Sequence, residues 1–514
     1  IVRGAFPEAA PLSFGQERLW FLQRLEPEDS SYNVPMALSL SGRLAVGALL
    51  AALAEIVRRH EVLRTTYPAI DGRAVQQVHE PGGLPVALLD LAGLSRRQAE
   101  EEARRHLARE AATPFDLENG PVLRVLLCRL GETEHWLLVT VHHIACDGWS
   151  LGVLAEELGR LYVWTQAPAE LPALPEPPLQ YRDYAFWQRR WLEGDELERQ
   201  MAYWKELLSS EEAPLELPTD RPRRALARRQ SDLISLAAPL ELGGALRQLS
   251  SERGATPFMT LLAGYGVLLA RWSGSRRVRV GVPIANRGRR ELAGLVGFFV
   301  NTQVYPLSTA GARGFAELVG EVRALALAAY THQDVPFEQL VEELQPERLL
   351  TQTPLFSVMF SYFSAAGRQS ESLSLGPIQA RRLEASSGAA KFDWIVSVAH
   401  RGERLWISME YRRDLFDRST AERALRHYLR LVEAGMKEPD RRLDELELLD
   451  RAERQQLTWE WNDRRRPRAG EGGLVPLWRE QVAARGEAVA VASLGEHWSY
   501  QALDAWSERL AERQ

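Results

Sequence analysis

The sequence predicts a mixed α/β protein in which helices and strands alternate along two successive lobes. Three observations predict this class. Amphipathic runs with apolar residues at helical spacing alternate with short apolar runs typical of strands. A strand–turn–strand pattern occupies residues 122–143. The proline-rich stretch APAELPALPEPPLQ (167–180) separates two halves that both contain helix and strand patterns. Its prolines favour an extended crossing between lobes, with a surface linker as the alternative.

The first half begins with a helix in PLSFGQERLWFLQRL, where Ser13 is the expected N-cap and Gln16 completes a capping box. A second amphipathic helix is predicted over 43–60, followed by the strand-like EVLRTTYP (61–68). A third helix, rich in Arg and Glu, is predicted over about 95–112.

The strand–turn–strand pattern consists of VLRVLLCRL (122–130) and HWLLVTVHH (135–143), joined by the turn GETE. This spacing predicts a hairpin. In the second half, Thr256–Pro257 is a helix start. VRVGVPIANRGRR (278–290) is predicted to be a strand that runs into a polar turn, and LWISMEY (405–411) is predicted to be another strand. After about residue 440 the chain becomes charged and linker-like, and a new segment begins near 471.

Length and composition narrow the function classes. At 514 residues the chain is too long for one ordinary core, so two or three domains are expected. The net charge of −6 gives no nucleic-acid or anionic-membrane signature, although nearly all the basic residues are Arg. No segment approaches the roughly 20 apolar residues of a membrane span, and the N-terminus does not resemble a signal peptide. The chain begins at Ile1 rather than Met, so we expect a piece of a longer protein.

The strongest candidate site is VTVHHIACDGWS (139–150), which places His142 and His143 at the end of the predicted hairpin. A chance HHxxxDG pattern is expected on the order of once in a thousand such chains. Side chains of neighbouring strand residues point to opposite faces, so one imidazole at most faces a given cavity. A strand end followed by an Asp-Gly turn holds a base rigidly and leaves one face open. The alternative for a histidine here is a hydrogen-bonded core or rim residue.

Other kinds of centre fit the sequence less well. Zinc needs a third ligand, and adjacent strand histidines diverge, so we expect no metal. A serine nucleophile would need a GxSxG-like elbow, and the sequence has none. Cys128 and Cys146 lack metal-ligand spacing and fit a reducing compartment. Cys146 is expected to be a small buried filler rather than a nucleophile.

These motifs together resemble the condensation domains of nonribosomal peptide synthetases, whose fold is similar to that of chloramphenicol acetyltransferase. HHIACDGWS carries the HHxxxDG signature intact, and the resemblance covers about residues 8–440. Six further segments match in family order: SFGQERLWFL (13–22), RHEVLRTTY (59–67), YRDYAFW (181–187), VGVPIANR (280–287), GFFVNTQV (297–304) and HQDVPFEQL (332–340). PLSFGQERLWFL with YNVP resembles the subtype that joins an L-configured donor to an L-configured acceptor.

The resemblance implies two chloramphenicol acetyltransferase-like lobes that form a V-shaped pseudo-dimer around a central substrate tunnel. The N-terminal lobe would span 1–180 and the C-terminal lobe 181–440. Residues 441–470 resemble a linker, and 471–514 resemble the N-terminal fragment of an adenylation domain. The later nucleotide-binding motifs of that domain are missing from the sequence, so we expect this segment not to activate amino acids.

The implied reaction is attack of an acceptor α-amine on a donor thioester, with both substrates held on phosphopantetheine arms. Two carrier proteins supply these arms, so no cofactor is expected to be bound covalently. An adjoining adenylation domain is the further partner, and a monomeric, cytoplasmic module without nucleic-acid or membrane partners is expected. The donor would move onto the acceptor amine.

The resemblance also assigns roles to the motif residues. His143 would face the tunnel as a general base or as a hydrogen-bond acceptor that positions the amine, and these two roles stay open. The backbone N–H of Gly148 is a candidate donor to the developing oxyanion. His142 would pack away from the tunnel, and Asp147 would pair with Arg287. Two functional alternatives remain: an acyltransferase of the same fold with a soluble acceptor, and a non-catalytic recruitment domain.

Three further positions are given structural roles. Trp149 and Ser150 are expected to be packing and turn residues. Asn301 and the aromatic residues of GFFVN are expected to be bridge or core residues.

Overall fold

The computed structural model describes residues 1–4, 9–169, 172–209, 215–223, 229–311, 313–344, 355–363, 372–401, 404–463, 473–493 and 495–512. The chain divides into two compact units, Ile1–Leu448 and Leu449–Gln514. The helices are α1 (Phe14–Leu25), α2 (Val46–Arg59), α3 (Arg96–Ala111), α4 (Gly148–Trp164), α5 (Tyr181–Trp191), α6 (Asp195–Leu208), α7 (Leu240–Glu252), α8 (Pro257–Ser273), α9 (Phe315–Thr331), α10 (Phe337–Leu344), α11 (Arg418–Lys437), α12 (Arg451–Gln455), α13 (Leu474–Arg485) and α14 (Tyr500–Ala511).

The strands are β1 (Ala9–Pro11), β2 (Asn33–Ser41), β3 (Thr65–Thr66), β4 (Ala69–Ile70), β5 (Arg73–Val78), β6 (Val86–Asp90), β7 (Leu123–Arg129), β8 (Glu134–His142), β9 (Ser231–Ala237), β10 (Arg277–Ile284), β11 (Asn301–Ser308), β12 (Val358–Phe363), β13 (Ser372–Leu375), β14 (Ile378–Leu383), β15 (Trp394–Arg401), β16 (Arg404–Arg412), β17 (Val489–Ser493) and β18 (Glu496–Ser499).

The first six-stranded sheet has the order β13-β14-β2-β8-β7-β6. Its central pair, β7 and β8, is the antiparallel hairpin that the sequence predicts. Both faces of β8 are buried: Leu137 and Val139 belong to the large core of this sheet, and Trp136 and Leu138 pack in a smaller core with residues of α3. Burial on both faces explains why this strand has an almost unbroken apolar sequence.

The second six-stranded sheet has the order β11-β10-β12-β15-β16-β9 and contains both parallel and antiparallel pairs. A second core lies on one of its faces, where α8 and α11 pack. Val396, Val398, Ile407 and Met409 line this face and are almost fully buried. The mixture of helices and two mixed sheets confirms the predicted α/β class.

The two halves of the sequence exchange segments. β13 and β14 come from the second half, and β14 pairs with β2 to complete the first sheet. The core of the first sheet also contains Leu292, Val296 and Phe299. Because these segments are far apart in sequence, periodicity alone does not predict their pairing. The lobe boundary at 180/181 remains a prediction.

Several local predictions are confirmed. Ser13 and Gln16 form the capping box of α1, and Thr256 caps α8, in which Pro257 is the first residue. The strand prediction for 61–68 is wrong in its first part, because Glu61–Arg64 forms a 3₁₀ turn and the strand is limited to β3. Val62 and Leu63 are buried in this turn, so their apolar character reflects packing rather than strand alternation.

The predicted linker, 441–470, is divided between the two units. Leu443 and Leu446 are buried in the core of the first unit, and α12 lies in the second, while 464–470 fall outside the described residues. The second unit also contains α13, α14 and the antiparallel pair β17–β18. In the described part of the chain, we find no helix with the length and apolar composition needed to cross a membrane.

Candidate active site

The two adjacent histidines lie where β8 ends and the chain turns into α4. β8 ends at His142, whose backbone N–H donates to Val122 O at 2.9 Å. The N–H of His143 donates to Tyr32 O at 2.8 Å, which fixes the backbone of the next residue as well. Four residues further on, Asp147 caps α4. The motif is therefore a rigid strand-to-helix turn.

His142 is a buried residue. It is 1% exposed, its Nδ1 accepts a hydrogen bond from the backbone N–H of Ile144 at 3.1 Å, and its ring packs edge-on against Phe115. Burial, with the charges of Lys391 and Arg124, lowers the pKa of His142 to about 3. His142 is therefore a neutral, packed side chain at physiological pH.

His143 has different neighbours. It is half-buried, and its ring meets the ring of Phe298 edge-on with 4.9 Å between centroids. Burial lowers the pKa of His143 well below its usual value, and the positive charge of Lys391 and the neighbouring His142 add to this effect. A neutral imidazole at this position can accept a hydrogen bond from a bound amine.

Asp147 and Arg287 form the contact that the resemblance implies. Arg287 Nη2 lies 3.1 Å from Asp147 Oδ1 and 3.3 Å from Oδ2, and their side chains are 2% and 0% exposed. Asp147 Oδ1 also accepts from the N–H of Ser150 at 2.7 Å, and Oδ2 accepts from the N–H of Phe299 at 3.0 Å. One buried carboxylate therefore joins the start of α4 to two segments of the second half of the chain.

Arg287 makes further contacts. Its Nη1 donates to the carbonyls of Leu292 and Leu295, both at 2.6 Å, and its Nη2 donates to Ser150 Oγ at 2.7 Å. The guanidinium carbon lies 4.0 Å from the centre of the Phe299 ring. Burial lowers the pKa of Arg287, while Asp147 opposes this effect. A buried guanidinium needs this many acceptors to offset desolvation.

Ser150 has a larger part in this network than the sequence predicts. Its hydroxyl donates to Gly297 O at 2.9 Å, and Ser150 Oγ accepts from the N–H of Gly297 at 3.1 Å. Ser150 is also fully buried. Trp149 is a packing residue as expected, with its indole N–H donating to Ala293 O. A hydroxyl one turn into a helix gives no sequence signal for such a contact.

Gly148 is the first residue of α4 and is exposed. A Cβ atom at this position would meet no heavy atom within 4 Å, so protein packing does not demand glycine here. The first N–H groups of a helix lack intrahelical acceptors and carry the positive end of the helix dipole. The space beside Gly148 can therefore receive a group that develops negative charge.

Phe298 is held against His143 by close packing on both sides. A Cβ on Gly297 would lie 1.8 Å from the Tyr181 ring, and a Cβ on Gly15 would lie 2.8 Å from the Phe298 ring. The Tyr181 hydroxyl also donates to Phe298 O. Small residues at 15 and 297 are thus required for the contact between Phe298 and His143.

Asn301 is a structural bridge, as the sequence predicts. Its Oδ1 accepts from the N–H of Phe337 at 3.0 Å, and its Nδ2 donates to Val335 O at 2.7 Å. These bonds join β11 to the start of α10.

Cys146 is fully buried, and burial raises its pKa well above the usual value, so it is not a thiolate. No group of three or more His, Cys, Asp or Glu side chains suited to a metal ion occurs within the described ranges.

Comparison with known proteins identifies the family. A family model described as "Condensation domain" matches residues 7–458. The chain belongs to the condensation-domain family.

Tyrocidine synthase 3 of Brevibacillus parabrevis is 34% identical over 501 residues, which cover 98% of this chain and 7% of that protein. Malpinin synthetase of Mortierella alpina is 36% identical, over 98% of this chain and 6% of that protein. One of the linear gramicidin synthase proteins of Brevibacillus parabrevis reaches 41% identity, and the chain spans 10% of its length. The condensation domain described here thus spans about a tenth or less of these relatives.

Solved structures agree with this assignment. The X-domain from teicoplanin biosynthesis has a TM-score of 0.79 and 28% identity, covering 87% of this chain and 99% of that domain. A holo four-domain nonribosomal peptide synthetase bound to AMP and glycine has a TM-score of 0.85 over 99% of this chain and 39% of that one. Its 20% identity shows the fold alone. The predicted α/β fold of the chloramphenicol acetyltransferase type is confirmed.

Lys391 lies near the histidines, and the sequence analysis did not predict this position. Its Nζ lies 4.6 Å from the centre of the Tyr32 ring, and Tyr32 is the residue whose carbonyl binds the N–H of His143. The chain contains three lysines, and the segment GAAKFDW carries no motif that would distinguish this one. Its position depends on the folding of the second half against the first.

Proposed function

We propose that this condensation domain joins a donor acyl group, held as a thioester on one carrier protein, to the α-amine of an acceptor held on another. The amine nitrogen forms a bond to the thioester carbonyl carbon, the carbon–sulfur bond breaks, and the donor carrier's thiol is released. We place the domain in the subtype that joins an L-configured donor to an L-configured acceptor. The support for this subtype is the opening PLSFGQERLWFL with YNVP.

The observation that carries the proposal is the arrangement around the turn between β8 and α4. A neutral, half-buried His143 lies four residues before the buried Asp147, and the exposed Gly148 follows at the start of α4. In this proposal His143 contacts the attacking amine, and the Gly148 N–H donates to the oxyanion that forms on the carbonyl oxygen. His142, Asp147 and Arg287 hold the turn in place.

Phosphopantetheine arms on the two carrier proteins would present the substrates, so the domain itself needs no covalently bound cofactor. We propose that residues 471–514, which follow the predicted linker, are the start of an adenylation domain in the same module. A monomeric module in the cytoplasm completes this proposal. The support is the relationship to multidomain synthetases, of which this chain spans a small part.

The direct test loads two carrier proteins with defined aminoacyl groups and follows their masses by intact-protein mass spectrometry. The expected result is that the acceptor carrier gains the mass of the donor acyl group and the donor carrier loses it. A His143→Ala variant that folds normally is the matched control. No transfer with any donor–acceptor pair, in a protein that melts normally, would contradict the proposal.

Two alternatives give different results in this assay. An acyltransferase with a soluble acceptor would transfer the donor to a small amine or alcohol as efficiently as to a carrier-bound acceptor. A recruitment domain would transfer nothing and would instead bind a partner protein. This alternative has some support, since a solved complex joins the teicoplanin X-domain to OxyB, and that X-domain is 27% identical to this chain.

A further inference from the structure

Lys391 differs from almost every other basic residue of the chain. Of 63 basic side chains, 60 are arginines and three are lysines. Lys205 and Lys437 are exposed, whereas Lys391 is half-buried. Lysine differs from arginine in that burial readily lowers its pKa, while arginine stays charged throughout the physiological range. Of the three lysines, Lys391 is therefore the one whose pKa burial can change.

The backbone beside Lys391 is firmly anchored. Two residues later, Asp393 is 3% exposed, and its carboxylate binds Arg223 through two hydrogen bonds of 2.9 and 2.5 Å. Arg412 lies 3.6 Å from the same carboxylate. The Asp393 N–H donates to Ser357 O at 2.8 Å. This network fixes the start of β15, and with it the position from which the Lys391 side chain extends.

The ammonium group of Lys391 reaches the histidine turn through Tyr32. It lies over the face of the Tyr32 ring, where the negative face of an aromatic ring attracts a cation. The Tyr32 carbonyl in turn accepts from the N–H of His143. Lys391 belongs to the second half of the chain and Tyr32 to the first. This contact therefore places a positive charge from the second half beside the histidine turn of the first half.

The charged groups around this position can be followed element by element. On α1, Arg18 pairs with Glu338 of α10 at 3.1 Å. On β16, Glu410 interacts favourably with Lys391, as does Asp29 before β2. Beyond the turn, the negative charge of Asp147 is paired with Arg287. His142 is a further titratable neighbour of His143, and both histidines interact unfavourably with Lys391, while Arg124 of β7 adds to this effect at His142.

Burial lowers the pKa of Lys391 to about 8, and Arg18 contributes to the lowering, while Glu410 opposes it. The ammonium form therefore predominates at pH 7. An α-amine has an ordinary pKa of about 8, so much of a free acceptor arrives protonated at pH 7 and cannot attack. A fixed positive charge beside the site disfavours both the imidazolium form of His143 and a protonated amine next to it.

We propose that Lys391 is a positioning residue whose positive charge keeps His143 neutral, as a hydrogen-bond acceptor, and selects the neutral form of the acceptor amine. This inference rests on the proposed function. It also distinguishes between the two roles that the motif leaves open for His143. Burial and Lys391 both oppose the imidazolium form. His143 therefore orients the amine as a hydrogen-bond acceptor and does not take up its proton as a general base.

The test first removes the other lysines. In a chain with Lys205→Arg and Lys437→Arg, both at exposed positions, acetylation of the folded protein neutralises Lys391, and reductive dimethylation keeps its charge. Lys391→Met and Lys391→Arg are the matching variants. The titration of His143 is followed by NMR with ¹³C-labelled histidine, and a His143→Ala spectrum identifies its resonance.

Neutralising Lys391 is expected to raise the pKa of His143 by about 0.5 to 1 unit, the size of one nearby, partly desolvated like charge. Dimethylation and Lys391→Arg are expected to leave it near its original value. A purely structural contact would change the melting temperature and leave this titration unchanged. An unchanged His143 titration after acetylation, or an equal shift in the Arg and Met variants, overturns the proposal.

The second measurement is the pH dependence of kcat for transfer between loaded carriers. Lys391→Met is expected to move the acid limb of this profile to higher pH by a similar amount, because the bound amine holds its proton more tightly. Lys391→Arg is expected to restore the original limb. A shifted His143 titration with an unmoved acid limb overturns amine selection. If the unmodified chain transfers nothing, the proposed function fails, and the NMR titration still decides whether Lys391 acts on His143.

Discussion

At the scale of single residues, the two adjacent histidines occupy environments that suit different tasks. His142 is buried, accepts a hydrogen bond from a backbone N–H and packs against Phe115, while His143 is half-buried beside Phe298. Both are kept neutral by burial. Neutrality in His142 preserves packing. In His143, neutrality leaves a ring nitrogen that can accept a hydrogen bond from the substrate amine of the proposed reaction.

We expect His143→Ala to reduce peptide-bond formation by roughly 10²- to 10⁴-fold while the melting temperature changes little. His142→Ala is the matched comparison, and its main effect should be on stability, because a packed side chain is lost. Transfer rates and thermal melting of both variants provide the check. Loss of turnover in a stably folded His142→Ala protein, with His143→Ala active, would reverse the assignment.

The pH dependence of stability also follows from His142. Its pKa in the folded protein is about 3, below the ordinary value of 6.5, so the unfolded chain binds the proton more readily. The resulting stabilisation is complete above pH 6.5 and is lost progressively as the pH falls toward 3. We expect the urea midpoint to fall over this range. It should fall less steeply in His142→Gln, and equal slopes for the two proteins would contradict this account.

At the scale of elements, the start of α4 combines a structural cap with an open surface. Asp147 caps the helix and binds the second half of the chain, whereas Gly148, the next residue, has no neighbour that a Cβ would contact. Exposed N–H groups at a helix start favour negative charge. A single turn of helix thus holds the loop and presents a candidate oxyanion donor.

Gly148→Ala tests whether the open space is reserved for a substrate. The variant is expected to fold with the same or slightly higher stability, since alanine favours helix by up to about 1 kcal/mol over glycine. Transfer should fall at least several-fold if a substrate approaches this backbone. Gly47→Ala is the matched control. Gly47 is exposed near the start of α2, and a Cβ atom at this position would also meet no heavy atom within 4 Å. Equal transfer by both variants would remove Gly148 from the site.

At the scale of the whole molecule, the site depends on contacts between residues more than a hundred positions apart. Asp147 and Arg287 are 140 residues apart and meet in a buried ion pair. β14 joins the first sheet beside β2, and Lys391 reaches Tyr32. Contacts from both halves of the first unit therefore hold the histidine turn.

The buried pair gives the prediction at this scale. Asp147→Ala and Arg287→Ala are each expected to cost roughly 3–5 kcal/mol of stability and to lower transfer, because each leaves a charge without its partner. The double variant should lose less than the sum of the two single losses. Chemical denaturation and transfer rates for the three proteins give the double-mutant cycle. Strictly additive losses, or an Arg287→Ala protein that is unchanged, would show that the pair is not a clamp.

The sequence by itself determined the α/β class, several of the elements and the motif. Local signals suffice for the capping box at Ser13, the helix start at Thr256–Pro257 and the hairpin of β7 and β8, because each depends on neighbouring residues. The same holds for HHxxxDG, whose residues lie within one strand-to-helix turn. The strand prediction was wrong at Glu61–Arg64, because Val62 and Leu63 are apolar for packing in a 3₁₀ turn and this apolar pair resembles a short strand.

The tertiary structure decided which distant residues surround that motif. The hydroxyl of Ser150 bonds Gly297, Phe298 packs against His143, and Lys391 lies over Tyr32. None of these contacts has a local pattern, because each joins segments brought together only by the folding of the first unit. The pKa shifts of the histidines also depend on tertiary structure, since burial and neighbouring charges such as Lys391 move a pKa away from the ordinary value of its residue type.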